Sequence, residues 1–434
     1  MSADKSGRTR DLTVVIVGGS LAGLLCGVTL KHAGFIVRIL EQHGSERKSQ
    51  ATGLGLGPNA QAFLEDHDCH GPRLSHTVTS LLILGHDNTI RRLAAGRRDL
   101  TSWDAVFYRL RWLFNGYISQ YFAEAGEAFE AGCSTYETCK QVLEVRRPED
   151  TDSPITLTVL DTNSHELEHV QADFVIGADG PNSLIRALYL PDVQREYAGY
   201  VMWRGLVPED KVSSATLDLF ERSVIAHKTS RNSSCVMYMI PGVNGSLQRG
   251  ERLLNFIWYT NESTDDMDEI MTDGIDGHSH RNFVPPGRVR SDIWASHVRE
   301  AERLPLPGPF LEVATKIEQP SLQIVTDYCS PHAAFENGRI LLIGDALSQF
   351  RPHAALGVSQ AAYHVAAVRE YLEGTITWQQ WETRVVRRSY LHWSLNVWWG
   401  DFYQKSFAAA LPACFRYWTY NFLYNLRSWW SGGS

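Results

Sequence analysis

The stretch from Leu12 to Gln42, "LTVVIVGGSLAGLLCGVTLKHAGFIVRILEQ", constrains the fold more than any other part of the chain. It reads as an apolar strand, a glycine turn, a small-residue helix, Gly34, and a second apolar strand that runs into Glu41. That order is the dinucleotide-binding βαβ unit. Gly18 permits the tight turn, and Gly23 lets helix and strand approach closely. Backbone amides at Ser20, Leu21 and Ala22 then face a pyrophosphate seated on the helix N-terminus. Glu41 stands 23 residues after Gly18, where a carboxylate can grip a ribose hydroxyl, with Gln42 beside it. The middle glycine of G-x-G-x-x-G is Ser20 here. The unit alone does not choose between NAD and FAD.

Two more strand ends bear on that choice. "ADFVIGADGPNSLIR" (172–186) is an apolar strand ending in Gly177, Asp179 and Gly180, with Ser183 and Arg186 at helical spacing. "GRILLIGDALSQFRPHAALG" (338–357) runs four aliphatics into Gly344–Asp345, then places Arg351, Pro352 and His353 ahead of a small-residue helix. Three strand ends spread over about 330 residues thus converge on one ligand. "SQATGLGLGPNAQAF" (49–63) alternates glycine with leucine, which suits backbone lying against a flat ring.

Length and composition set the outer bounds. A chain of 434 residues suggests two or three domains, and 44% hydrophobic with 21% charged residues is ordinary for a soluble enzyme. A net charge of -8 argues against nucleic acid as a partner, because phosphate neutralisation needs a basic face. Seven cysteines form no C-x-x-C pair and are odd in number, which reads as buried free thiols in a reducing, cytoplasmic setting. "MSADKSGRTR" is polar and lacks an apolar core, so it reads as a frayed lead-in rather than a secretory signal. His278 and His280 in "DGIDGHSHRN" read as part of a mobile loop, and two histidines are too few for a metal site. No metal is expected.

Taken together, the three ordered motifs resemble those of the class A flavin monooxygenases, the family of p-hydroxybenzoate and salicylate hydroxylases. The resemblance covers residues 11 to about 375. "YAGYVMWRGLVPE", "LLNFIWYTNE" and "IMTDGI" are most similar to the 2,6-dihydroxypyridine and hydroxynicotinate hydroxylases. The resemblance implies FAD as cofactor, NADH or NADPH as reductant and O₂ as cosubstrate. It implies a flavin C4a-hydroperoxide that delivers oxygen to an electron-rich aromatic or N-heteroaromatic ring. A setting in secondary metabolism is one expectation. Epoxidation, dearomatisation or Baeyer–Villiger-type oxidation is the alternative on the same fold. The W-x-W-x-I-P motif of halogenases is absent.

The implied fold is α/β: a Rossmann-like FAD-binding domain with an inserted β-sheet substrate domain and a C-terminal helical segment. The FAD-binding parts are expected at 11–73, 106–188 and 328–375. The substrate strands are expected at 74–105 and 189–327, and the aromatic-rich helical segment at 376–434. By the resemblance, Asp345 accepts from a ribityl hydroxyl, Pro352 rigidifies the approach, and the amides of Gly357 and Val358 face the flavin pyrimidine edge. The family usually has glycine where Ala355 stands and asparagine where Ser359 stands. Asp179 is either a nicotinamide-associated carboxylate or a structural brace. Arg109, in a helix read over 107–126, resembles the family's arginine near the flavin, with surface ion pairing as the other reading.

At the ring end, hydroxynicotinate-type enzymes carry a histidine where this chain has Gly55. The base therefore comes from elsewhere, or the substrate arrives ionised. His353 and His227 are the candidate bases. Arg204 lies mid-strand among apolar residues, where a buried charge needs a flavin or substrate partner, or a structural carboxylate. Tyr238 in "CVMYMIPG" matches a tyrosine that contacts substrate in urate and hydroxynicotinate hydroxylases. Six of the 13 tryptophans lie beyond residue 388, interleaved with basic residues. Residues 390–430 are therefore read as packing on the body or over the active-site mouth, a homodimer seam, a peripheral membrane contact or a membrane anchor.

Overall fold

The computed structural model describes residues 12–44, 52–68, 71–124, 134–147, 150, 153–229, 233–304 and 306–431, and side chains through 426. The N-terminal lead-in, Cys69, Cys133 and the start of the 49–63 segment lie outside the described residues.

The apolar run Thr13–Val17 becomes the middle of a six-stranded sheet. Its neighbours Phe174–Gly177 and Ile36–Leu40 are both parallel to it, and Ile340–Leu342 continues the sheet in the same direction. A strand buried on both faces must be apolar throughout, which is why Val14, Val15 and Ile16 are fully enclosed. Register then places the active edge. Val17 pairs with Gly177 and with Leu40, and Gly177 pairs with Leu342. The loops carrying Gly18, Glu41, Asp179 and Asp345 therefore leave the sheet at one edge, where open parallel sheets bind ligands.

A second sheet has ten strands among the described residues, seven of them six residues or longer, including Glu196–Pro208, Leu253–Asn261, Ser234–Ile240 and His76–Leu84. The short strand Gly53–Leu56 pairs with the end of Ile90–Ser102 and so joins this sheet, although it lies within the span read as FAD-binding. Strands Lys140–Arg146, Ile155–Asp161 and Leu167–Ala172 form a separate meander. The helix read over 107–126 spans Trp103–Asn115, because Gly116 in the left-handed region ends it. The 273–280 segment is tied down rather than loose: Asp273 accepts from Arg288 at 2.7 Å and faces His280 Nε2 at 2.9 Å.

The chain closes with two helices, Trp378–Gln404 and Phe407–Ser431. The first opens on a Thr377/Gln380 capping box and buries Trp381 and Val385 in the core of the six-stranded sheet. The second packs back on it, with Tyr417 stacked on Trp398 and Arg416 over Trp393. Its outer face leaves Phe407, Leu411, Phe415, Trp418 and Phe422 exposed. Among the described residues, no helix is long and apolar enough to cross a membrane. The five described cysteines are unpaired; Cys26 and Cys235 are buried, while Cys139, Cys329 and Cys414 are only half-buried.

Candidate functional site

A cavity of about 930 Å³ lies between the active edge of the first sheet and one face of the second. That is the upper end of the roughly 300–1,000 Å³ range of small-molecule and cofactor sites. Gly18, Ser20, Leu21, Ala22, Glu41 and Gln42 line one end of it. There the Glu41 carboxylate is buried, and it accepts from the backbone N–H of Gly19 at 2.8 Å and of His43 at 3.0 Å. Tyr136 donates to the Gly19 carbonyl at 2.8 Å, so the glycine turn is fixed from both sides. A Cβ on Gly23 would stand 1.9 Å from the Gly18 carbonyl oxygen, which explains glycine there.

Two helices point their N-termini into the cavity. Leu21–His32 and Gly357–Leu372 have no side-chain cap bond and no acidic residue in the first turn. Their first-turn amides are left for an outside acceptor, and the helix dipole favours a negative one. Pro352, Gly357 and Val358 stand on the wall beside the second of these ends.

The middle of the cavity carries Asp179 and Asp345. Asp179 Oδ2 accepts from the N–H of Leu184 at 2.8 Å and so braces its own turn. Asp345 has no side-chain hydrogen bond among the described residues, and its carboxylate opens into the cavity. Enclosure pushes its pKa up to about 6, against the pull of Arg195 and Arg186. Behind it, Arg186 donates to the Tyr328 hydroxyl at 2.5 Å, and Tyr328 donates to the Asp345 carbonyl.

Arg204 and Tyr238 line the far end. Arg204 is only 5% exposed, yet among the described residues it forms no ion pair, and Tyr259 and Tyr238 are the titratable groups that act on it. Its guanidinium donates to Thr52 Oγ1 at 2.7 Å and to Gln323 Oε1 at 2.9 Å, and Nε has no partner. Burial lowers its pKa to about 10, so it stays cationic at neutral pH. Burial raises the Tyr238 phenol to about 12, opposed by Arg204, so it stays protonated. A Cβ on Gly53 would stand 2.7 Å from the Tyr238 hydroxyl.

Three expected site residues do not line the cavity. His353 is turned away, with Nε2 2.8 Å from the Tyr200 hydroxyl and its ring against Tyr259 and Tyr403. Burial, with Arg351 nearby, lowers its pKa to about 3. His227 alternates onto the same face of its strand as Ile225, in the core behind the sheet, and Nδ1 meets the Leu84 carbonyl at 2.7 Å. Arg109 is spent on Asp68 at 3.3 Å, on the Pro72 carbonyl and on the ring of Phe122. Lys140 to Leu143 and Thr52 do line the cavity. "KQVL" reads as an ordinary strand, and only its place beside Glu41 reveals it; Thr52 sits just ahead of a glycine run. Among the described residues, no group of His, Cys, Asp and Glu could hold a metal.

FAD suits these residues. An elongated anion would meet two uncapped helix ends, the Asp345 carboxylate midway, and glycine backbone at the far end. The comparisons agree. A family described as FAD binding domain-like matches residues 197–327. The 2,6-dihydroxypyridine 3-monooxygenase of Paenarthrobacter nicotinovorans is 27% identical over 393 residues, 87% of this chain and 88% of the relative. The 6-hydroxynicotinate 3-monooxygenase of Bordetella bronchiseptica is 22% identical, covering 83% of each. The solved 2,6-dihydroxypyridine-3-hydroxylase from Arthrobacter nicotinovorans superposes with a TM-score of 0.74 at 24% identity, over 93% of this chain and 95% of that one. The fold is that of the flavin monooxygenases, and the chain is similar to these relatives over 83–93% of its length.

Proposed function

We propose that this chain, an FAD-dependent monooxygenase, inserts one atom of O₂ into an electron-rich ring of the phenol or hydroxypyridine class, with NAD(P)H as reductant. The observation that carries the reading is Arg204: a buried cation without a carboxylate, beside a protonated phenol, in the cavity that the dinucleotide motif opens. Named relatives that hydroxylate dihydroxypyridine and hydroxynicotinate support the substrate class.

FAD, when bound, would supply the redox chemistry between the nicotinamide and O₂. The protein's residues do the rest. Glu41 and the amides from Ser20 to Ala22 would hold the nucleotide half, and Asp345 would accept from the ribityl chain. The N-terminus of the helix Gly357–Leu372 offers positive potential to the pyrimidine edge, which favours the reduced, anionic ring. Met202, Ile257 and Val325 give the ring end apolar walls that keep water out. Arg204 draws in a ring that carries negative charge, and the Tyr238 hydroxyl donates to a second polar atom of it. With Gly55 bare and both candidate histidines elsewhere, no imidazole faces the ring among the described residues. The substrate therefore enters already ionised, and ionisation supplies the electron density that attack on activated oxygen requires.

A screen of hydroxypyridines and phenolic acids for stimulated NAD(P)H consumption tests this. Stimulation by acidic ring hydroxyls, and none by their O-methyl ethers, is the expected result. Equal consumption with both would defeat the reading.

A further inference from the structure

Behind the cavity wall, the turn 351–355 leans on one face of the helix Trp378–Gln404. Arg351 donates to Asp401 at 2.8 Å on that helix and to Asp327 at 2.5 Å on the neighbouring strand. Trp393 donates to the other oxygen of Asp327 at 2.6 Å. The backbone N–H of Ala354 donates to Asn396 Oδ1 at 2.9 Å, while the Asn396 amide nitrogen is engaged by the His392 carbonyl. Positions 393, 396 and 400 share a helix face at i, i+3 and i+7, with 401 beside it. Gly400 is the telling position. Glycine is costly inside a helix, yet a Cβ there would stand 2.6 Å from the Tyr200 hydroxyl and 3.0 Å from Arg351 Cδ. The helix is anchored at both ends: Glu382 accepts from the amides of Ala333 and Ala334, and Asn261 donates to the Gln404 carbonyl at 2.9 Å.

We propose that this helix face is a positioning element for the cofactor: Asn396, Gly400 and Asp401 hold the turn 351–355 against the cavity and thereby set the affinity for FAD. The contacts matter because the turn holds itself by the bond from the Ala355 N–H to the Pro352 carbonyl at 3.1 Å and ends on a strained residue. Ala355 sits in the left-handed region at φ 52°, and a side chain there stays put only when its surroundings hold it. None of the three touches the cavity, so their influence passes through Pro352, Ala355 and the helix start at Gly357. The proposal rests on the reading that the cavity holds FAD.

The test titrates FAD into the full-length apo-protein by quenching of flavin fluorescence, with thermal melting of each apo-variant alongside. Asn396→Ala and Asp401→Asn are expected to raise the Kd for FAD about tenfold, the loss that one charge-assisted or buried hydrogen bond carries. Glu382→Gln, on the same helix but away from the turn, is expected to lower the melting point with Kd unchanged. Gly400→Ala separates the roles further. A Cβ there crowds Tyr200 and Arg351, so a glycine needed only for close packing would give a less stable apo-protein with wild-type Kd, whereas a positioning face predicts weaker binding beyond any loss of stability. Wild-type Kd in folded Asn396→Ala and Gly400→Ala would overturn the proposal, as would Kd losses that track melting point across all four variants. A wild-type protein that takes up no FAD would refute the cofactor reading itself.

Discussion

Gly55 and Ala355 face each other so closely that a Cβ on the glycine would stand 2.9 Å from the alanine's Cβ. The two residues are 300 positions apart, one in the strand Gly53–Leu56 and the other at the end of the 351–355 turn, yet their contact closes the ring end of the cavity. A histidine at 55 would have to push the 351–355 turn aside. This geometry explains how the bare position and the left-handed alanine occur together.

Ala355→Gly follows directly. An L-residue in the left-handed region costs about 1–2 kcal/mol, and glycine adds back about 0.5–1 kcal/mol of unfolded-state entropy. The variant is expected to gain up to about 1 kcal/mol of stability in urea unfolding, with FAD still bound. A loss of stability would mean the alanine methyl is worth more in packing than its backbone costs.

Arg204→Met removes the buried cation while keeping much of its apolar stem. Steady-state kinetics with an ionised hydroxypyridine should show kcat/KM lower by about ten- to a hundredfold, the range of a lost hydrogen bond to charge. Arg204→Lys should recover only part, because one ammonium cannot bridge Thr52, Gln323 and a ligand as the guanidinium fork does. If Arg204→Met leaves kcat/KM intact, the arginine is structural.

Glu41→Gln should weaken FAD binding about tenfold, since the carboxylate holds the Gly19 and His43 amides as well as facing the nucleotide end. Fluorescence titration reads this out. Unchanged affinity would show that the turn keeps its shape without the charge.

Acid should unfold the protein earlier than carboxylates alone would dictate. His364 is fully buried, accepts from the Gly344 N–H at 3.1 Å and meets Ser389 Oγ at 3.1 Å. Burial, then His392 and Arg388, lower its pKa from 6.5 to about 3. Between those values the unfolded chain binds the proton and the folded chain does not. Stability therefore rises with pH through that window and is lost as pH falls below about 6.5, by up to about 1.4 kcal/mol per pH unit. His364→Asn, which keeps an acceptor for Gly344, should show a shallower fall between pH 6.5 and 5 in urea melts. An equal slope would assign the acid limb to other groups.

The nucleotide half of this cavity was legible in the chain because its units are local. Each is an apolar strand, a glycine and a helix start in immediate succession, and parallel register then brings Gly18, Asp179 and Asp345 to one edge without further information. The ring end was legible only in part. Arg204 and Tyr238 could be singled out as polar groups on apolar strands, but the choice of face for a histidine could not. His227 follows its strand's alternation to the far side, and His353 is drawn off the wall by Tyr200. For Arg109 the two readings, flavin neighbour and ion pair, could not be separated from the helix alone, because the sequence says nothing of Asp68, which the structure places 3.3 Å from it in a buried pair. The grip of Asn396 and Asp401 on the 351–355 turn had no signal at all, since it depends on where a distant helix is laid down.

The most direct test of the central claim is mass spectrometry of the product formed under ¹⁸O₂ by the FAD-reconstituted enzyme with NADPH and an ionised hydroxypyridine or phenol. The account predicts a yellow protein, NADPH consumed only with the aromatic present, and one ¹⁸O atom in each product molecule. Product oxygen drawn from water, or NADPH oxidation indifferent to the aromatic, would contradict it.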